Sequence, residues 1–206
     1  MGGREGSLVS IYGAARRLRG RVPAPEATLE RELLDRVGQR DLQAFEKLYR
    51  EYQPRLSRFL INLVQHPLVV EEVLNDTMVV VWQSADKFRG ESKVSTWIFS
   101  IAYRKALKAR GRPQPLPDEA SSFEPSPEPG PDQQVNAAHL RDALAAAMNK
   151  LSADHRAVVD LTYFHNLGYR EIAEIMDCPI DTVKTRMFHA RRRLRAMISG
   201  TLSDWL

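Results

Sequence analysis

An all-α fold, two small helical domains joined by a proline-rich linker, is what this chain of 206 residues predicts. Three observations carry that prediction. Apolar residues recur at spacings of three and four along most of the chain, with no alternating strand pattern to compete. Seven of the twelve prolines fall between Pro113 and Pro131, in a segment (111–135) whose only large apolar side chains are Leu116 and Phe123. Proline lacks an amide donor and pushes the preceding residue out of the α region, so this segment reads as an extended, semi-rigid tether. Charge follows the same division, with net values of +3 over 1–28, +3 over 29–110, −4 over 111–135 and +2 over 136–206.

The first domain, 29–110, opens with the stripe Phe45, Leu48, Tyr49, Tyr52, Leu56, Phe59, Leu60 and Leu63. This is an amphipathic helix in which Pro54 is expected to cause a kink or a break. A second stripe, Val70, Val73, Leu74, Thr77, Met78, Val81, Trp82 and Ala85, is backed by Glu71, Glu72, Asn75, Asp76 and Gln83. Gly90 supplies the backbone freedom for the turn that follows Phe88 and Arg89. Ser95 is then the expected N-cap of a third helix running to about Arg110. In the second domain, 136–206, Leu140, Ala143, Leu144, Ala147, Met148 and Leu151 form one stripe. Ser152 is placed to cap the next helix, which carries Val158, Val159, Leu161, Thr162 and Phe164. Residues 1–28 are expected to form a disordered arm rather than a domain.

Composition narrows the function without naming it. Hydrophobic residues make up 43% and the net charge is +4, an ordinary globular balance with a basic lean. No run approaches the roughly 18 apolar residues of a membrane span. Arg16, Arg17, Arg19 and Arg21 are followed by no apolar core or cleavage site, so no secretory signal is expected. The one cysteine, Cys178, excludes an internal disulfide and fits the reducing cytoplasm. His66, His139, His155, His165 and His189 show no zinc-ligand spacing, and His165 reads as a solvated turn residue. Neither a P-loop nor a nucleophile elbow is present, so no enzyme, cofactor or metal site is expected.

The most informative stretch begins at Tyr169. A short helix buries Ile172, Ala173, Ile175 and Met176, Asp177-Cys178-Pro179 breaks it, and Asp181 or Thr182 starts another. In the last helix Val183, Met187, Ala190, Leu194 and Met197 form a buried seam. The far side presents Lys184, Phe188, Arg191 and Arg195, flanked by Thr185, His189 and Arg192. Six Lys or Arg and no further acid lie between Asp181 and Arg195. A basic face alone could be an ordinary solvated surface. Two helices joined by a three-residue turn, the second long and basic, instead suggest a helix-turn-helix with its second helix in the major groove.

The run LGYREIAEIMDCPIDTVKTRMFHARRRL from Leu167 resembles region 4 of bacterial RNA polymerase sigma factors. Upstream, EEVLNDTMVVVW from Glu71 and FRGESKVSTWIFSIA from Phe88 are similar to region 2 of the same sigma-70 family. Two regions with only a linker between them match the small extracytoplasmic-function (group IV) subfamily, over about 40–110 and 136–199. The resemblance implies a non-catalytic, cytoplasmic factor that binds core RNA polymerase and promoter DNA. It implies contacts with the β′ clamp helices and β flap of the polymerase, and an anti-sigma factor as a possible further partner. It assigns polymerase docking to Glu72, Asn75, Asp76 and Gln83, a face whose residue types alone would read as a solvated helix surface.

Melting and reading of the −10 element would fall to Phe88, Arg89, Lys93, Ser95, Thr96, Trp97, Tyr103, Arg104 and Lys105. An opened strand needs stacking aromatics and a cationic track, which these residue types supply. Trp97 also lies on the apolar side with Ile98 and Ile101, where core packing has the stronger claim on it. The −35 duplex would be read through Thr182, Lys184, Thr185, Phe188 and His189, with Arg186 and Arg192 on phosphates. Asp177 and Asp181 stand where the family commonly has glycine, and His189 where a basic residue is common. Asp177 tolerates the left-handed turn, whereas Asp181 sets a negative charge near phosphate. The rival function is a one-component regulator that binds an operator without polymerase. The tether favours two DNA-reading domains on a bipartite promoter.

Overall fold

The computed structural model describes residues 24–111 and 143–203, and side chains over 28–111 and 143–198. The expectations for the N-terminal arm up to residue 23, for the linker from 112 onward and for Leu140 lie outside the described residues. The first helical set contains α1 (Ala24–Gly38), α2 (Leu42–Val64), α3 (Pro67–Ser84) and α4 (Val94–Arg110), with a 3-10 turn at Ala85–Lys87. The second contains α5 (143–149), α6 (Ala153–Tyr163), α7 (Tyr169–Met176) and α8 (Ile180–Ser203). No strand occurs among the described residues.

Local chemistry sets most of the boundaries. Asp41 caps α2 by accepting from the backbone N–H groups of Gln43 and Ala44 at 2.9 and 3.1 Å. Those bonds, with the Arg36 guanidinium alongside, hold the Asp41 carboxyl below the usual carboxylate range. Helix α2 runs unbroken through Pro54, so of the expected kink or break the break does not occur. Pro54 is exposed, so the Arg50 carbonyl that loses its helical donor lies where water can reach it. Pro67 occupies the first turn of α3, where a missing amide costs nothing. Gly90 adopts φ 75°, as the turn after Phe88 requires.

Helix α4 begins two residues earlier than Ser95 suggested. Lys93 is its N-cap residue, and Ser95 lies buried inside the first turn. In the second set Ser152 does cap α6, its hydroxyl accepting from the His155 amide at 3.4 Å. The turn between α7 and α8 passes through Asp177 at φ 48°, ψ 56°, the left-handed conformation that Asp tolerates. The seam of α8 is buried at Val183, Met187, Ala190 and Leu194, with Met197 packed at its edge.

The two helical sets do not stand apart. Helix α4 packs against α7 and α2 against α6, and one apolar cluster runs through both sets. A polar contact pins this junction: Asn62 of α2 donates to Asp160 of α6 at 2.6 Å, where Asp160 is fully buried. His165, expected to be a solvated turn residue, is inserted there instead, with 3% of its side chain exposed. Its ring centroid lies 4.6 Å from that of Phe99 and 6.1 Å from that of Phe59. Its Nε2 is 3.1 Å from Asp160 Oδ2, close in distance but without the alignment of a hydrogen bond. Residue type gave no sign of this, because the covering surface comes from α2 and α4, far away in sequence.

Candidate nucleic-acid interface

The helix-turn-helix is built from opposite needs on two faces of α8. Ile172, Ile175 and Met176 of α7 and the α8 seam are buried, which fixes the angle between the helices. The opposite face of α8 then has to point outward. Thr185, Phe188, His189 and Arg192 are all exposed and follow one another at i, i+3, i+4 and i+7, forming one stripe. Phe188 is 64% exposed, a large apolar ring held in water with His189 against its edge at 5.5 Å. Arg191, Arg193 and Arg195 extend the positive surface, and Arg191 is steadied by the Tyr163 hydroxyl at 2.8 Å. Burial, together with the positive charges of Arg193 and His189, holds the His155 imidazole below its ordinary pKa.

Other members of the expected −35 set are engaged elsewhere. Lys184 pairs with Asp181 at 2.9 Å, so the acid already flagged as unfavourable near phosphate also neutralises its neighbour. Arg186 turns away from the stripe to meet Asp154 at 2.6 Å and the Cys178 sulfur at 3.7 Å. Thr182 is half-buried at the start of the helix.

The expected −10 set divides into two. Phe88 and Trp97 come together with ring centroids 5.3 Å apart, and the Arg31 guanidinium sits 4.9 Å above Phe88. Trp97 also packs against the core, as its place beside Ile98 and Ile101 suggested. Arg89 and Arg104 are exposed beside them in sequence order, and Lys105 pairs with Asp76 at 2.9 Å. Ser95, Thr96 and Tyr103, by contrast, are buried. Tyr103 donates to Asp154 of α6 at 3.3 Å. Burial and the nearby Asp154 carboxylate push the phenol up to about 12, so it stays protonated and remains the donor. Lys93 reaches across to Glu171 of α7 at 2.9 Å.

On α3, Glu72, Asn75, Asp76 and Gln83 are all exposed and share one side of the helix. Sequence reasoning missed Val79, which is 51% exposed and sits among them, three residues beyond Asp76 and four before Gln83. The i, i+3, i+4 spacing that grouped the polar residues could have found it. Helix α2 adds Leu42, 69% exposed at its start. Surfaces that join charges to an exposed aliphatic centre are typical of protein docking faces. Among the described residues no group of His, Cys, Asp and Glu could hold a metal, and no helix is long and apolar enough to cross a membrane.

Comparison with known proteins agrees with this geometry. Residues 48–114 match the family model for sigma-70 region 2, and 141–194 that for sigma-70 region 4. The chain is 30% identical to the RNA polymerase sigma-H factor of Pseudomonas aeruginosa, covering 85% of this chain and 96% of that protein. It is 29% identical to the ECF RNA polymerase sigma-E factor of Haemophilus influenzae, over 84% of this chain and 97% of that one. Among solved structures, the sigma factor RpoE of Bartonella quintana in complex with the anti-sigma factor NepR superimposes with a TM-score of 0.60. It is 26% identical, covering 77% of this chain and 98% of that chain. With both regions matched in order and a relative 30% identical over nearly its whole length, the chain belongs to the extracytoplasmic-function RNA polymerase sigma factors of the sigma-70 family.

Proposed function

We propose the following division of labour within this sigma factor. Region 4, spanning about 136–206, reads the −35 duplex through the α8 stripe of Thr185, Phe188 and His189, with Lys184 beside it and Arg192 on the phosphates. Thr182 adds a contact at the helix start, and Arg186 joins the phosphates only after leaving Asp154. Region 2, about 29–110, docks on the β′ clamp helices of core polymerase through Glu72, Asn75, Asp76 and Gln83 around Val79. Its Phe88, Trp97 and Tyr103, with Ser95 and Thr96, take up the opened −10 strand, and Arg89, Lys93, Arg104 and Lys105 track its backbone.

The observation that carries this reading is Phe188, exposed at the centre of a basic stripe on the second helix of a tight helix-turn-helix. An exposed ring there is unfavourable in water and becomes favourable against a thymine methyl or sugar edge in the major groove. Binding both elements at once, the factor favours the melted promoter by holding it more tightly than the closed duplex. The working compartment is the cytoplasm, and an anti-sigma factor is a further partner in this reading.

Run-off transcription with purified core polymerase tests it, using the DNA upstream of this coding sequence and genomic promoter fragments as templates. Specific transcripts that need the added protein support the assignment and map both elements. No transcript on any template, together with no retention by core polymerase in a pull-down, overturns it.

A further inference from the structure

We propose that the −35 interface extends beyond the recognition helix onto α6, where His155 joins His189 and Arg193 in a cradle for one backbone phosphate of the duplex. This deepens the −35 reading given above and rests on it. His155 lies three residues after the Ser152 cap of α6 and is half-buried. Its ring centroid is 6.3 Å from that of His189, an exposed member of the α8 stripe. Arg193 follows His189 by four residues, one turn further along α8, and is exposed as well. The Ser152 hydroxyl lies 2.9 Å from His155 Nδ1, which leaves Nε2 as the ring nitrogen for a ligand.

The charges around this imidazole do not balance. Those that face it are Asp154 on its own helix and Arg186, His189 and Arg193 on α8. Asp154 is paired with Arg186 at 2.6 Å, so the acid answers a different cation. A cation in the first turn of a helix also meets the positive end of the helix dipole. Glutamate or glutamine at this position would complete a capping box with Ser152, so local stability does not account for a histidine here. An anion between His155 and Arg193 supplies the missing charge. Backbone phosphates line both flanks of the major groove in which the stripe of Thr185, Phe188, His189 and Arg192 would lie.

Protonation is built into such a cradle. Burial, Arg193 and His189 hold the His155 imidazole below its ordinary pKa, so the ring is largely neutral in the free chain near neutral pH. A phosphate oxygen against Nε2 favours the charged ring. Binding therefore takes up a proton and strengthens as pH falls.

Fluorescence anisotropy of the full chain tests this, on a labelled duplex of about two helical turns cut from the −35 segment that run-off transcription maps. EDTA in the buffer prevents a metal from bridging the two imidazoles. The native chain should bind about tenfold more tightly at about pH 6 than at about pH 7.5. His155→Gln completes the capping box and so keeps α6 folded; it should reduce that gain to no more than about threefold. His155→Lys carries a fixed charge and should reach at about pH 7.5 the affinity that the native chain has near pH 6. Arg193→Ala should weaken binding at both pH values and lower the salt slope by about one. An unchanged pH profile in His155→Gln overturns the cradle, as does a loss that falls on core polymerase retention and spares the duplex. Arg192→Ala separates the two ideas. Binding weakened by Arg192→Ala but indifferent to His155→Gln keeps the −35 reading and rejects the cradle, whereas binding that Arg192→Ala leaves unchanged overturns the −35 reading and the cradle with it.

Discussion

The two surfaces proposed to read the −35 and −10 elements use the same residue types, aromatic rings among cations, but the fold presents them differently. Phe188 stands 64% exposed on the recognition helix, whereas Tyr103 is 4% exposed beneath region 4. The difference follows from what each helix must bury. Helix α8 sends one seam inward and leaves a full face with no partner. Helix α4 is packed by its own bundle on one side and by α7 on the other, so half of its candidate residues are covered. Chemical suitability for nucleic acid is therefore a property of the residues, and availability is a property of the packing.

The largest expected effect breaks the junction that creates this contrast. Asp160→Ala leaves the Asn62 amide without its carboxylate acceptor and empties the space beside His165, which should cost roughly 3 kcal/mol in urea unfolding. A cost well below 1 kcal/mol would mean that region 4 does not lean on region 2 there. Next come Leu56→Ala in region 2 and Leu194→Ala in region 4, each about 3 kcal/mol from the cavity left behind. Because one apolar cluster spans both regions, each change should lower a single shared thermal transition. Two transitions, with only one shifting per variant, would show that the regions melt independently.

Smaller effects sharpen the comparison surface by surface. Val79→Glu places a charge at the centre of the α3 docking face and should weaken core polymerase binding by about 2 kcal/mol in a pull-down titration. Its −35 binding should stay unchanged. Lys184→Ala should cost about 1–2 kcal/mol on −35 duplex and lower the salt slope of binding by about one. Core binding should be spared, and an equal loss of both would sink the assignment of Lys184. The smallest change is Asp181→Asn, which frees Lys184 and removes a negative charge beside the groove. It should tighten −35 duplex binding by less than about 1 kcal/mol, measured as fluorescence anisotropy at fixed salt.

Much of this was legible in the sequence, and the failures share one cause. The stripes from Val70 to Ala85 and from Val183 to Leu194, the Ser152 cap and the left-handed turn at Asp177 all depend on neighbours within a few residues. The N-cap was misplaced by two residues because Lys93, a residue without a capping side chain, takes that position instead of Ser95. A break at Pro54 stayed open as an alternative to a kink because sequence alone does not say that its freed carbonyl faces water. Val79 was passed over as one more aliphatic residue on an apolar helix, although its exposure sets it at the centre of the face proposed to dock on polymerase.

Spacing by itself thus determined the helices, their buried stripes and the basic recognition face, because helix geometry converts a repeat of three and four directly into a surface. The motif pattern determined the family. Only tertiary structure decided that His165 is buried between Phe59 and Phe99, that Arg186 and Tyr103 share Asp154, and that Lys93 meets Glu171. Each of those contacts joins residues far apart in sequence, most of them from both regions. The physical reason is that periodicity names the face a residue occupies but not what will cover it.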